Sequence, residues 1–290
     1  MAFFIATTSA TGPLSHSMPE LPEVETTVRG IKPHLLQQTI QGVVVRKKQL
    51  RWPIPALTLQ RLLPEQTIIN VTRRAKYILI ETTAGTLVIH LGMSGTLRLV
   101  EESTPLKKHD HFDCLMDEGL ILRYNDPRRF GAILWAGKDL DSLSVLKNLG
   151  PEPLSKNFHA QYLLERAAKR RIPIKQFIMD GKIVVGVGNI YASESLFLAN
   201  IHPLMNSDKL TLLQAKALCQ AITTVLKAAI KKGGTTLKDF YQSDGKPGYF
   251  RHQLTVYDRA GLACTQCKTP IEHLTLGQRS TYYCPACQIL

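Results

Sequence analysis

The hydrophobic positions divide the chain into a helical start, a β-rich stretch, a longer helical stretch and a short tail. Val24, Val28, Ile31 and Leu35 recur at spacings of four, three and four, which predicts an amphipathic helix. From about residue 40 to residue 137 the pattern changes to short β-branched runs separated by Gly, Asp and Pro. Such runs predict strands that form a sandwich or a barrel.

The second half of the chain returns to helical periodicity. Gly and Pro are dense at 149–153, which predicts an interdomain linker, and helical patterns follow at 160–171 and 212–232. The predicted fold class is therefore α+β, with a cysteine-bearing β-like tail. We expect four parts: an N-terminal extension over 1–17 that looks disordered, a β-rich domain over 18–150, a helical domain over 151–248 and a tail over 249–290.

The amino-acid composition and the net charge indicate which class of molecule the protein binds. The 44% hydrophobic and 20% charged content is ordinary for a globular protein, and no run of apolar residues approaches the length of a membrane-spanning helix. The charge is unusual, because 36 Lys and Arg against 23 Asp and Glu give a formal net charge of +13. A polyanion is the partner that such a charge favours.

The strongest local pattern lies in the tail, where Cys264, Cys267, Cys284 and Cys287 form two CxxC pairs. Two such pairs at this spacing bring four thiolates to the corners of a tetrahedron, which predicts one zinc ion. The protein fills all four ligand positions, so the zinc is expected to be structural. A redox-active CxxC pair is the alternative, and the presence of two pairs argues against it.

Three basic or polar positions are candidates for phosphate contact. Arg279 lies between the two cysteine pairs, where it is either a solvated charge or a cation that the zinc holds against phosphate. Arg170 belongs to a run of five basic residues between Arg166 and Lys175, which favours a phosphate-binding stripe over a solvated face. Asn189 lies in a Gly-rich turn before an apolar helix, where backbone N–H groups could hold a phosphate.

Met93, Arg128 and Phe130 fall in two turns beside predicted strands, in HLGMSG and DPRRFG. Exposed at a loop tip, such side chains could enter a base stack. Taken alone, the residues favour the plainer interpretation, in which Met93 and Phe130 cap the core.

Nine motifs together carry a family resemblance. PELPEVE, RRAKY, HLGMSG, KHDHFD, DPRRFG, VVGVGNIYASE, GGTTLKDF, SDGKPGYF and the four-cysteine tail occur in the order seen in bacterial formamidopyrimidine-DNA glycosylases, over 18–290. The resemblance implies an N-terminal β-sandwich with flanking helices, a helix-two-turn-helix domain and a zinc finger. It also implies a monomeric, cytoplasmic and nucleoid-associated enzyme of base excision repair, without a membrane partner, which removes oxidised purines from double-stranded DNA and cuts the abasic strand.

The same resemblance implies roles for four catalytic residues. Pro19 matches the N-terminal proline whose amine attacks the sugar, and Glu20 matches the general acid that helps to open it. Lys76 matches the lysine of β-elimination and phosphate contact, and Arg279 matches the zinc-finger arginine of δ-elimination.

The resemblance also assigns DNA contacts. His109, Arg128, Arg170 and Asn189 match DNA-binding positions. Met93, Arg128 and Phe130 match the three residues that fill the gap left by the extruded nucleotide, which replaces the core-capping interpretation. The GGTTLKDF segment at 233–240 is the expected lid over the extruded base.

The chain departs from the family pattern at its start, because seventeen residues and Met18 precede Pro19 and would make its nitrogen an unreactive amide. We expect translation to begin at Met18, with methionine removal exposing Pro19; cleavage of the prefix and an inactive form are the alternatives. Two other functions remain open: an endonuclease VIII-type glycosylase for oxidised pyrimidines, and a non-catalytic zinc-ribbon DNA-binding protein.

Overall fold

The computed structural model of the protein describes residues 19–234 and 253–290. The predicted N-terminal extension over 1–17 lies outside the described residues. So do the SDGKPGYF motif and all but the first two residues of the expected lid at 233–240.

The β-rich part of the chain is a two-layer antiparallel structure. Helix α1 (Leu21–Leu35) precedes it, and helix α2 (Ala56–Leu62) follows its first strand. One sheet has the order β1-β6-β7-β5 and the other the order β2-β3-β4-β8. The strands are β1 (Ile40–Val45), β2 (Ile68–Arg74), β3 (Tyr77–Thr82), β4 (Thr86–His90), β5 (Thr96–Glu101), β6 (Asp110–Met116), β7 (Leu120–Asn125) and β8 (Ala132–Trp135).

Both sheets and helix α1 share one hydrophobic core. Phe112 and Leu122 enter it from one sheet, Ile80 and Ile89 enter it from the other, and Ile31 enters it from α1. Residues of two stacked sheets that meet in one core define a β-sandwich. The predicted sandwich is therefore confirmed, and its central strands β4 and β7 are each buried at four consecutive positions, which explains why apolar β-branched runs predicted them.

The second half is helical and ends in a hairpin. Its long helix begins with a capping box formed by Thr211 and Gln214, and its Gly-rich turn leads into a helix that is buried along almost its whole length. The elements are α3 (Ser144–Lys147), α4 (Ala160–Ala167), α5 (Ile174–Met179), α6 (Asn189–Leu198), α7 (Leu212–Lys231), β9 (Glu272–Leu276) and β10 (Arg279–Tyr283). The described residues also contain short 3₁₀ turns at Asp117–Gly119, Leu140–Ser142 and Ser207–Lys209.

The cysteine-bearing hairpin does not stand apart from the helices. Ile271 and Tyr282 of the hairpin join the core that contains Phe177, Tyr191 and Leu218 of the helices. This burial fixes the hairpin against α6, so that its tip has a defined position relative to the rest of the molecule.

Helix α1 and the linker connect the two halves. Helix α1 contacts strands β2, β3 and β5 on one side and helix α7 on the other. In the linker, Gly150 N–H donates to the carbonyl of Gly181 at 2.8 Å, and Val185 N–H donates to that of Pro151 at 3.2 Å. The start of α1 therefore lies where the sandwich meets the helices. Within 19–234 and 253–290, no helix is long and apolar enough to cross a bilayer.

Candidate active site

The first two described residues lie at the start of α1, and both are buried. Glu20 is the N-cap of α1, and its backbone N–H donates to the carboxylate of Glu23 at 2.9 Å, which closes a capping box. This arrangement fixes the backbone that follows Pro19. The sequence-predicted nucleophile and general acid therefore lie next to each other at the junction of the two halves.

The carboxylate of Glu20 reaches across the junction to the start of α6. It accepts hydrogen bonds from the backbone N–H of Gly188 at 2.8 Å and from that of Ile190 at 3.1 Å. Burial raises the pKa of Glu20 to about 7, against the opposing effects of Lys76 and these two amides. Near neutral pH the group is therefore divided between its acid and its carboxylate, as a general acid requires.

These contacts revise one sequence-based expectation. The Gly-rich turn before α6 was expected to offer its amides to a phosphate, and the structure shows that Glu20 occupies those of Gly188 and Ile190. A helix N-terminus attracts any anion, and here the anion is a side chain of the protein itself.

Lys76 lies on the tight turn between β2 and β3. The turn is possible because Ala75 takes a left-handed conformation with φ of 54°. The Ala75 N–H donates to Glu152 at 2.7 Å, and the Arg73 guanidinium donates to the Ala75 carbonyl at 2.8 Å. Burial lowers the pKa of Lys76, the nearby charge of Glu20 opposes this, and Arg279 lowers the pKa further. Glu20, Lys76 and Arg279 therefore form one electrostatic cluster.

Lys175 is a buried neighbour of this electrostatic cluster, and the charges of Glu20 and Arg279 act on it. It is 1% exposed, and its ammonium group donates to Asn189 Oδ1 at 2.7 Å, Thr281 Oγ1 at 2.7 Å and the Ser280 carbonyl at 3.0 Å. Burial lowers the pKa of Lys175 to about 7, while Glu20 opposes and Arg279 adds to this effect.

The burial of Lys175 corrects the predicted basic stripe. Lys175 was counted among its charges, and the structure instead places it inside, where it joins α5, α6 and the hairpin. Arg279 itself is exposed on strand β10.

The four cysteines meet as a metal site. Their sulfur atoms all lie within 4.8 Å of one another, with Cys264 and Cys287 at 3.9 Å and Cys267 and Cys284 at 3.4 Å. Zinc–sulfur bonds of about 2.3 Å at tetrahedral angles require sulfur separations of about 3.8 Å. The donor set therefore fits one zinc ion with no open position, and the predicted structural zinc is confirmed by this geometry and by the domain match below.

A second cluster lies at the turns of the sandwich. Phe130 is 47% exposed, Arg128 is exposed with its guanidinium carbon 5.2 Å from the Phe130 ring centroid, and Met93 is half-buried. The core-capping interpretation is therefore wrong for Phe130. His109 adjoins this cluster, because its carbonyl accepts the N–H of Asp126 at 3.1 Å.

Two further predicted contacts lie among the helices. Arg170 is half-buried and paired with Asp180 at 3.2 Å. Asn189 is the first residue of α6, where its side-chain oxygen accepts from Lys175. Both therefore have protein partners in addition to any DNA contact.

Sequence reasoning assigned no role to His90, which ends β4 beside Lys76. Its Nδ1 accepts the Gly92 N–H at 3.0 Å, and its ring lies 4.9 Å from that of Tyr77. Burial lowers the pKa of His90 to about 4, with Lys76 and Arg51 adding to the shift. The ring is therefore neutral near pH 7. In the sequence, the position of His90 in the HLGMSG motif was the one feature that could have pointed to a role for it.

Comparisons with known proteins agree with this geometry. The formamidopyrimidine-DNA glycosylase N-terminal domain matches 18–133, the H2TH domain of the same enzymes matches 149–241, and the zinc finger found in FPG and IleRS matches 261–289. The formamidopyrimidine-DNA glycosylase of Alcanivorax borkumensis is 54% identical over 272 residues, which are 93% of this chain and 100% of that protein.

Solved structures are similar as well. A Lactococcus lactis Fpg in complex with abasic-site DNA has a TM-score of 0.87 and 31% identity, covering 94% of this chain and 100% of that one. A complex of the L. lactis enzyme with DNA containing N7-benzyl-Fapy-dG has a TM-score of 0.86 and 32% identity at the same coverage. The chain belongs to the formamidopyrimidine-DNA glycosylase family, as its motifs predicted.

Proposed function

We propose that this protein is a bifunctional DNA glycosylase and abasic-site lyase of base excision repair. Its substrate is double-stranded DNA that contains oxidised purines, and it cuts the abasic strand by β,δ-elimination. The observation that carries the proposal is the buried Glu20, with a pKa raised to about 7, directly after Pro19 at the junction of the two halves.

The chemistry begins at Pro19. Its secondary amine, when free, attacks C1′ of the damaged nucleotide as the bond from C1′ to the base breaks, and the base leaves with the proton that the nitrogen loses. The nitrogen lone pair then forms an iminium as the sugar ring opens. Glu20, in its acid form, protonates the ring oxygen as the C1′–O4′ bond breaks. The iminium makes the C2′ hydrogen acidic. Once a base removes it as a proton, the electron pair left behind forms the C2′–C3′ double bond and expels the 3′ phosphate.

Lys76 and Arg279 act on the elimination steps. Burial lowers the pKa of Lys76, so a larger fraction of its amine is neutral and able to move a proton. Arg279 is exposed on the hairpin, where its guanidinium group pairs with the departing phosphate. The zinc-bound cysteines, which leave no ligand position for water, keep that hairpin in place.

Binding follows from the positions of the other residues. Arg170 and Asn189 contact phosphates and His109 contacts the DNA, while Met93, Arg128 and Phe130 fill the gap that the extruded nucleotide leaves. His90 is neutral and its Nδ1 accepts the Gly92 N–H, so its Nε2 carries the proton and is a hydrogen-bond donor beside the Lys76 turn. We also propose the domain limits 18–150, 151–248 and 249–290, and a place on the nucleoid in the bacterial cytoplasm, where the substrate is.

The test uses three duplexes: one with 8-oxoguanine opposite cytosine, one with an oxidised pyrimidine, and one undamaged. We expect excision of 8-oxoguanine by the protein beginning at Pro19, and loss of excision with binding retained in Glu20→Gln. Preferred excision of the oxidised pyrimidine would favour the endonuclease VIII alternative. Salt-dependent binding without cleavage of any duplex would favour a non-catalytic DNA-binding protein.

A further inference from the structure

The two turns that carry Met93 and Arg128–Phe130 are joined beneath the surface by Asp126. This residue is fully buried, and Ser94 and Tyr124 beside it are 6% and 0% exposed. Its carboxylate accepts the Ser94 hydroxyl at 2.7 Å, the Gly131 N–H at 2.9 Å and the Tyr124 hydroxyl at 3.2 Å. Within the described parts of the chain, no Lys, Arg or His forms an ion pair with it. These three donors therefore satisfy the oxygens of the buried carboxyl group.

Ser94 completes the connection in the other direction. Its oxygen accepts the backbone N–H of Arg128 at 3.1 Å while its hydroxyl donates to Asp126. One side chain next to Met93 is thus bonded to both ends of the turn that precedes Phe130.

The backbones of the two turns are also in direct contact. A β-carbon on Gly92 would lie 2.4 Å from the Phe130 carbonyl carbon, and one on Gly131 would lie 1.7 Å from the Tyr124 hydroxyl. Neither position has room for a side chain. The two turns therefore touch through backbone, and a displacement of one displaces the other.

We propose that Ser94 and Asp126 are positioning residues that make Met93, Arg128 and Phe130 enter the DNA as a single rigid wedge. The proposal rests on the proposed function in one respect, since it takes the three side chains to fill the gap in the duplex. The hydrogen bonds of Ser94 and Asp126 couple the two turns. Met93 and Phe130 therefore become ordered when the protein folds rather than when it binds DNA.

The test measures wedge insertion without chemistry. The zinc-loaded full chain is titrated into a duplex that carries a tetrahydrofuran abasic analogue opposite 2-aminopurine, whose fluorescence reports its stacking. For Ser94→Ala we expect the insertion equilibrium to fall by about ten-fold, because a bond to a buried carboxylate is lost and the Arg128 amide loses its acceptor.

The decisive comparison repeats Ser94→Ala in a chain that also carries Met93→Ala and Phe130→Ala. If Ser94 acts through the wedge, its removal there changes the equilibrium by less than about two-fold, because the interaction it supports is already gone. An equal loss in both backgrounds, or no loss in either, would overturn the proposal. Ser142→Ala removes a turn hydroxyl elsewhere in the same domain and should change neither.

Two further measurements accompany the fluorescence titration. Zinc content and the thermal midpoint establish that each variant is folded, and Asp126→Asn, which is expected to follow the same pattern, decides the question if Ser94→Ala does not fold. Borohydride trapping on an abasic duplex is run in parallel with protein that begins at Pro19. Absence of an adduct in the parent protein would contradict the proposed chemistry, and the fluorescence comparison would still judge the wedge.

Discussion

Gly188 presents its amide to the Glu20 carboxylate at 2.8 Å, and a β-carbon at that glycine would lie 2.2 Å from Glu20 Cδ. The proposed general acid, Glu20, thus occupies a space that only a glycine at position 188 leaves open. The pair also fixes how the two halves meet, because each residue belongs to a different one.

Gly188→Ala is therefore expected to displace Glu20 and to lower excision by about a hundred-fold, since a shift of about 1 Å at a reacting group has that effect. The added atom should also destabilise the fold by about 1–3 kcal/mol. Single-turnover excision and urea unfolding measure the two effects. Gly181→Ala is the matched control, because among the described residues its added carbon would meet only Leu149, at 3.8 Å. Equal excision rates for Gly188→Ala and Gly181→Ala would show that the position of Glu20 does not depend on the space at Gly188.

The raised pKa of Glu20 predicts how stability depends on pH. The folded state holds the proton up to about pH 7 and the unfolded state releases it near 4.5, so the folded protein binds more protons between these values. Stability from this group is therefore lost as pH rises from 4.5 to 7, by an amount on the order of 3 kcal/mol.

Comparison with Glu20→Gln isolates that effect, because the variant has no proton to lose at this position. We expect the free energy of unfolding of the parent protein to fall relative to that of the variant as pH rises from 4.5 to 8, in denaturant titrations. Curves that stay parallel over this range would show that the pKa of Glu20 is not raised.

Replacing a zinc ligand is expected to remove the zinc and DNA cleavage while the sandwich stays folded. Cys267→Ser should lose about one zinc per chain and all DNA cleavage, because the hairpin shares its core with the helices while the sandwich has a core of its own. Metal analysis, cleavage and limited proteolysis of the sandwich are the measurements. Cys219→Ala, which alters a cysteine outside the metal site, should keep its zinc. Full zinc and full activity in Cys267→Ser would refute the structural role.

Arg170 predicts a change in salt dependence. Arg170→Ala should reduce the slope of log affinity against log salt by about one, as expected when one phosphate contact is removed. Arg29→Ala removes the same charge from an exposed ion pair with Glu25 and should leave the slope unchanged. If both variants give the parental slope, Arg170 lies on a solvated face and its pairing with Asp180 is its whole role.

The sequence predicted those parts of the molecule that depend on local patterns. The spacing of Val24 and Val28 predicted α1, and the two CxxC pairs predicted the zinc site, because each pattern lies within a short stretch of chain. The Glu20–Gly188 contact joins residues 168 positions apart. The sequence therefore could not show that Glu20 accepts the backbone N–H groups at the start of α6. Lys175 lies in a basic run and bonds Thr281, 106 positions away, so charge alone assigned it to the surface.

We propose that the amine of Pro19 is the nucleophile. The most direct test of this role compares protein that begins at Pro19 with protein that retains residues 1–18. An internal proline has its nitrogen lone pair delocalised into an amide and forms no iminium. Protein that begins at Pro19 should therefore be trapped by borohydride as a covalent adduct with 8-oxoguanine duplex DNA. Protein that retains residues 1–18, verified intact by mass, should bind the same duplex and form no adduct. Equal adduct formation and cleavage by the two forms would contradict the account and make the side-chain amine of Lys76 the first candidate.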